Sequence, residues 1–139
     1  MQEITPAKKY VLRKQQTEVV YKIAYEKELN PAQLDAVKFD KGAVLVIAGA
    51  GSGKTKTLTY RVARLIESGV APENILLLTF TKKAADEMLN RAVMILDSRC
   101  EKVAGGTFHS FSNAILRKYS SYLDLKSNFT IIDRADAED

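Results

Sequence analysis

Cysteine and histidine occur once each, at Cys100 and His109, tryptophan is absent and proline occurs three times. A single cysteine excludes a disulfide framework within the chain and a thiolate metal site, and a single histidine excludes a histidine-rich one. No apolar run approaches the roughly 20 residues needed to cross a bilayer, which argues against a membrane partner. The opening MQEITPAKKY has no apolar secretory centre, so a cytoplasmic location is the expectation. Neither sign of charge dominates. The net charge of +4 admits an acidic partner such as nucleic acid without demonstrating one. Repeats and low-complexity tracts are also missing. With 139 residues, 46% of them hydrophobic and 27% charged, the chain has the length and composition of one ordinary globular domain.

What is present is concentrated in one stretch, Ala48-Gly49-Ala50-Gly51-Ser52-Gly53-Lys54-Thr55. The apolar run Ala43–Ala48 leads into it and a helical pattern leads out from Lys56. Strand, glycine-rich loop and helix in that order form the context of a phosphate-binding loop. Glycines at 49, 51 and 53 let the backbone curl until successive N–H groups face an anion. The helix start adds unpaired donors and the positive end of its dipole. Lys54 then reaches the β- and γ-phosphates, and the Thr55 hydroxyl sits on magnesium. The strict pattern has glycine where this chain has Ala48, a small residue that the loop tolerates.

The remaining chain alternates between helix and strand. Residues 1–28 are expected to form a helical N-terminal extension, with apolar residues near helical spacing at Val11, Leu12, Val19, Val20 and Ile23. Its basic group Lys8, Lys9, Arg13 and Lys14 reads as a solvated face or a phosphate contact. Asn30 and Pro31 mark a helix start, as N-cap and first helical residue. Ala43–Ala48 is expected as a strand, and Gly53–Ser68 as a helix burying Leu58, Val62, Leu65 and Ile66, closed by Gly69. Ile75–Phe80 is expected as a strand buried on both faces. Lys82–Asp97 reads as a helix with Ala85, Met88, Leu89, Ala92, Ile95 and Leu96 on its apolar side. Val103–Phe108 reads as a third strand. His109–Leu123 reads as a helix with Phe111, Ile115, Leu116, Tyr119 and Leu123 inward. Such alternation predicts an α/β fold with a parallel sheet flanked by helices. Ligands in these sheets bind beyond the carboxyl ends of the strands, where Thr79, Thr81, Thr107, His109 and Ser110 lie. Asp133, ending the run Phe129–Ile132, is the internal candidate for a magnesium carboxylate. No guanine-reading Asn-Lys-x-Asp occurs, and nothing organises His109 as a catalytic base.

Four motifs stand in order: Leu29-Asn30-Pro31-Ala32-Gln33, the loop at 48–55, Thr79-Phe80-Thr81-Lys82-Lys83-Ala84-Ala85 followed by Glu87-Met88, and Gly106-Thr107-Phe108-His109-Ser110. Together they resemble the N-terminal part of superfamily 1 DNA helicases of the UvrD/Rep/PcrA type, over about Leu29 to Asp136. The resemblance implies a RecA-like P-loop fold and ATP with Mg²⁺ as ligands. It implies a single-stranded or duplex-junction DNA partner for the full-length protein. Gln33 would read adenine, since its amide matches the N6/N7 edge. Taken alone, Gln33 is an exposed helix residue. Lys56 would flank the nucleotide, and Arg61 would lie against adenine or ribose. Thr79, Phe80, Thr81, Lys82, Thr107, His109 and Ser110 would line the DNA track, with Phe80 offering a face to a base. Phe108 is expected in the core. Lys82 stands where the family usually has Asn.

The resemblance also implies that residues 29–139 are a partial ATP-binding domain. The family's Asp-Glu box, arginine finger and second RecA-like domain would lie further along, so little hydrolysis is expected of this piece. Two other readings stay open: a small complete P-loop phosphotransferase using Asp133, and a non-catalytic DNA-binding module using the basic N-terminus.

Overall fold

A computed structural model of the chain describes residues 19–126 and 128–131. Helix α1, Tyr25–Glu28, is a single turn, and α2 spans Pro31–Lys38. Asn30 caps α2 as its side chain accepts from the Gln33 N–H, while Gln33 Oε1 accepts the Asn30 N–H at 3.1 Å. This reciprocal capping box satisfies two donors that a helix start otherwise leaves open. Helix α3, Lys54–Glu67, ends where Gly69 N–H reaches Ile66 O and Val70 N–H reaches Leu65 O, both at 3.0 Å. That bond pair is a Schellman closure, and Gly69 supplies its left-handed residue.

Strand β1, Leu76–Thr79, is followed by α4, Lys82–Ile95, capped by Thr81. Strand β2, Ala104–Thr107, lies parallel to β1, with Leu76 opposite Ala104 and Thr79 opposite Thr107. Helix α5, Phe108–Lys118, starts at once from a Thr107–Ser110 capping box. The main core lies between α3, β1 and α4. Val62, Ala63, Ile66, Ile75, Leu77, Ala92 and Leu96 are buried there with Cys100 and Val103. Ala63, Ala85 and Ala92 have no exposed surface, and their small size lets the helices pack closely. Burying a side chain such as Ile66 or Leu77 stabilises the fold by about 1.5–3 kcal/mol each. At Gly105 an added Cβ would stand 2.5 Å from Leu89 Cδ1, so a larger residue there would push the Leu89 side chain aside where β2 meets α4.

Several sequence expectations are corrected here. Ala43–Ala48 is not a strand. It has no ladder partner among the described residues, and Leu45 and Ile47 are 84% and 91% exposed. The described sheet accordingly has two strands rather than three. β1 is not fully buried on both faces: Leu77 is buried, but on the other face Leu78 is half-buried and Leu76 exposed. Leu58 is exposed on α3, although Val62 and Ile66 are buried as expected. On α5 the apolar stripe Phe111, Ile115, Leu116 and Tyr119 is exposed, as is Leu123 in the 3-10 turn that follows, Ser120–Leu123. Hydropathy periodicity finds the apolar side of a helix, but burial needs a second surface that these residues do not meet. Val19 and Val20 are exposed and non-helical. The basic group at residues 8–14 and the candidate carboxylate Asp133 lie outside the described residues.

Candidate functional site: a glycine-rich loop and an aromatic strand edge

The candidate residues fall into two groups. The first surrounds the glycine-rich loop, where Gly51 and Gly53 take φ of +75° and +83°. These left-handed positions turn the chain sharply into α3, whose first residue is Lys54. Lys54, Thr55 and Lys56 occupy the first turn, so their N–H groups have no partner within the helix. The Thr57 N–H is the first to be paired, to Gly53 O at 2.9 Å. The loop is drawn together internally. Ser52 Oγ donates to Gly49 O at 2.7 Å, and Lys54 Nζ donates to Ala48 O at 3.1 Å and Gly49 O at 2.7 Å. The ammonium is therefore folded back over its own loop. Ala50 is exposed at the tip, and Thr55 is half-buried in the first turn of α3.

Gln33 joins this group across nineteen positions of sequence. Its Nε2 donates to Ser52 O at 2.9 Å. With Oε1 accepting from Asn30, both ends of the amide are oriented by fixed partners. One N–H and one lone pair remain for a ligand. A cavity of about 320 Å³ opens beside it, lined among others by Asn30, Gln33, Ala36, Val46, Gly49 and Lys54. An adjoining hollow of about 410 Å³ runs under Val44 and Val46 to Leu58 and Arg61.

Arg61 and Lys56 each have partners within the protein. Arg61 Nη1 donates to Ala36 O at 2.7 Å and to Phe39 O at 2.6 Å, which closes the C-terminal end of α2. A guanidinium here satisfies carbonyls that a helix end leaves open and matches the negative end of the dipole. Its flank still lines the larger hollow. Lys56 Nζ donates to the Glu28 carbonyl at 2.5 Å and lies 5.5 Å from the centre of the Tyr60 ring.

The second group lies where the two parallel strands end. Thr79 and Thr107 face each other in register. Thr79 Oγ1 donates to Thr81 O at 2.7 Å, and the Thr81 hydroxyl accepts the Ala84 N–H. Ser110 Oγ accepts the Thr107 N–H at 3.0 Å. These hydroxyls thus build two helix N-termini side by side, those of α4 and α5. Lys82, Lys83 and His109 are exposed on their first turns.

Phe80 is 93% exposed, and its ring centre stands 6.4 Å from that of Phe108 at an interplanar angle of 60°. Phe108 is exposed, which corrects its expected place in the core. The signal for it was the repeated order Thr-Phe-Thr at 79–81 and Thr-Phe-His at 107–109. An aromatic residue follows the last strand threonine both times, so the parallel register brings the rings together.

No group of three or more His, Cys, Asp or Glu able to hold a metal occurs among the described residues. No helix among them is long and apolar enough to cross a membrane. Burial pushes the Cys100 thiol above its usual range, which keeps it protonated and unreactive.

Residues 29–139 match the family model of the UvrD/REP helicase N-terminal domain. The chain is 49% identical over 109 residues to the ATP-dependent DNA helicase PcrA of Bacillus subtilis, covering 78% of this chain and 15% of that protein. It is 45% identical over 109 residues, with the same coverage, to PcrA of Staphylococcus aureus (strain Mu50). For PcrA of Staphylococcus epidermidis the identity is 44% over 114 residues, covering 81% of this chain and 16% of the relative. The chain thus spans about 15% of the length of the curated relatives it matches.

Proposed function

Since the chain belongs to the UvrD/REP helicase N-terminal domain family, we propose that it is the ATP-binding, DNA-contacting part of an ATP-dependent DNA helicase acting in the cytoplasm. The observation that carries the nucleotide half of this reading is the hydrogen bond from Gln33 to Ser52 O, which joins an amide to a phosphate-type loop. The free lone pair of Gln33 Oε1 suits the adenine N6 amino group, and the free N–H suits N7. Guanine offers acceptors at both O6 and N7 and would leave the Oε1 lone pair unmet. The loop then takes the phosphates through the N–H groups of the first turn of α3, with Lys54 on the β- and γ-phosphates.

Thr55, in the first turn of α3, is the described residue whose hydroxyl would hold magnesium, which would neutralise charge on the phosphates. Hydrolysis coupled to movement on DNA is proposed for the longer protein. The second group of residues supplies its contact with a single strand. Backbone N–H groups at the starts of α4 and α5, with Lys82 and His109, meet phosphates, while Phe80 and Phe108 stack on bases.

Calorimetric titration tests the nucleotide reading. ATP with magnesium should bind more tightly than GTP by roughly two- to tenfold, as expected when one base-edge hydrogen bond is lost at the half-buried Gln33 amide. Gln33→Ala should erase that preference, and Lys54→Ala should abolish measurable binding of either. Equal affinities for ATP and GTP, or binding that survives Lys54→Ala, would sink the reading.

A further inference from the structure

The stretch Tyr21–Glu28 precedes the family match, which begins at Leu29, yet it is built into the fold. At the C-terminal end of α3, Glu67 holds it with both carboxylate oxygens. Oε1 accepts the Lys22 backbone N–H and Oε2 accepts the Tyr25 hydroxyl, each at 2.5 Å. Next to them the Arg64 guanidinium lies 4.1 Å from the centre of the Tyr21 ring. At the N-terminal end of α3, Glu28 makes two further contacts. Its carbonyl accepts Lys56 Nζ at 2.5 Å, and its carboxylate accepts the Tyr60 hydroxyl at 3.0 Å. Between the two ends Tyr25 is 1% exposed and meets Tyr60 edge-on, with ring centres 6.1 Å apart.

The stretch therefore runs antiparallel to α3, with Lys22 at Glu67 and Glu28 at Lys56. From Lys56 to Glu67 the helix rises about 16 Å. The chain from Lys22 to Glu28 reaches at most about 20 Å fully extended, and it contains one helical turn, so little slack remains. Immediately afterwards Asn30 caps α2 and Gln33 bonds to the loop at Ser52. One short covalent run thus touches the last turn of α3, its first turns and the loop that precedes it.

We propose that Tyr21–Glu28 is a strap that positions the glycine-rich loop, with Glu28 and Tyr60 as its positioning residues. Glu28 fixes the first turns of α3 through Lys56 and Tyr60. The same chain direction then carries Gln33 to Ser52, so the start of α3 and the loop hold a set spacing. Neither residue touches the cavity beside Gln33, so their effect on it is indirect.

Hydrogen exchange without nucleotide tests the strap independently of the proposed function. In Glu28→Ala, the amides of Thr57–Thr59, which begin the bonded part of α3 with Thr57 N–H on Gly53 O, should exchange roughly three- to tenfold faster, as expected for losing one tertiary hydrogen bond. Amides of α4 around Ala92 should stay unchanged. Glu28→Gln keeps an acceptor oxygen for the Tyr60 hydroxyl and should restore slow exchange. Tyr60→Phe retains the ring, removes only the hydroxyl and should reproduce the Glu28→Ala pattern, which covers the case in which Glu28→Ala does not fold. Unchanged exchange at Thr57–Thr59, or an equal rise throughout α4, overturns the proposal, as does a Glu28→Gln variant indistinguishable from Glu28→Ala.

Discussion

Gly53→Ala is the substitution whose cost the geometry defines most fully. Gly53 has φ +83° and ψ 28°, in the left-handed region. An alanine held there costs about 1–2 kcal/mol from Cβ–carbonyl crowding. A Cβ at this position would also stand 2.7 Å from Gln33 Nε2, with no other neighbour nearer than 3.8 Å. The amide end of Gln33 is flexible, so it moves and gives up its bond to Ser52 O. That loss costs about 0.5–1.5 kcal/mol, toward the lower end because the bond is solvent-exposed. The expected total is about 2 kcal/mol, measured by urea denaturation. Gly51 provides the control. Its φ is +75°, and nothing lies within 4 Å of an added Cβ. Gly51→Ala should therefore carry the backbone cost alone. Paired with Gln33→Ala, Gly53→Ala should show a coupling of about 0.5–1 kcal/mol and Gly51→Ala none. A Gly53→Ala cost below about 0.5 kcal/mol would refute the backbone argument. Strict additivity with Gln33→Ala would refute the contact argument.

Phe80→Ala should weaken single-stranded oligonucleotide binding by about 1–3 kcal/mol, read by fluorescence anisotropy. It should leave the denaturation midpoint unchanged, because the ring is 93% exposed. The alkaline limb of stability should also carry a signature. Burial and the Glu67 carboxylate push the Tyr25 hydroxyl far above its ordinary range, so its proton stays on in the folded state while the unfolded chain loses its own near pH 10. Stability from this group is complete below about pH 10 and falls above it, by about 1.4 kcal/mol per pH unit once the unfolded tyrosine ionises. Tyr25→Phe should flatten that limb in pH-dependent denaturation. Tyr60, raised by burial and by Glu28, should leave a smaller residual slope. An unchanged slope in Tyr25→Phe would contradict this account.

The sequence was most legible where structure depends on near neighbours. Asn30-Pro31 starts α2 and Gly69 closes α3, because caps and turns are set by the local backbone. The glycine-rich loop was legible for the same reason. Ala43–Ala48 was not, since its composition suits a strand but a strand exists only through a partner distant in sequence. The α5 stripe failed similarly: periodicity ranks the sides of a helix and says nothing of what stands opposite. The bonds of Arg61 to Ala36 O and Phe39 O were not legible, because they depend on how α2 meets α3. Tyr21–Glu28 read as part of a helical N-terminal extension, with no sign that Tyr25 would be almost fully buried. Its contacts are distant in sequence, from Lys56 and Tyr60 to Glu67 and Ser68.

The folded-back Lys54 has a thermodynamic consequence. Its ammonium already rests on the Ala48 and Gly49 carbonyls, so the loop carries an internal competitor for the position a phosphate would take. A ligand that needs this ammonium engages only the fraction of molecules in which it has swung away. Its apparent dissociation constant is the intrinsic one divided by that fraction. If the two exposed contacts together hold the closed form by about 1 kcal/mol, apparent affinity falls roughly fivefold. The same carbonyl contacts solvate the ammonium without cancelling its charge. The loop thus trades binding strength for a resting state that holds its own ammonium in place.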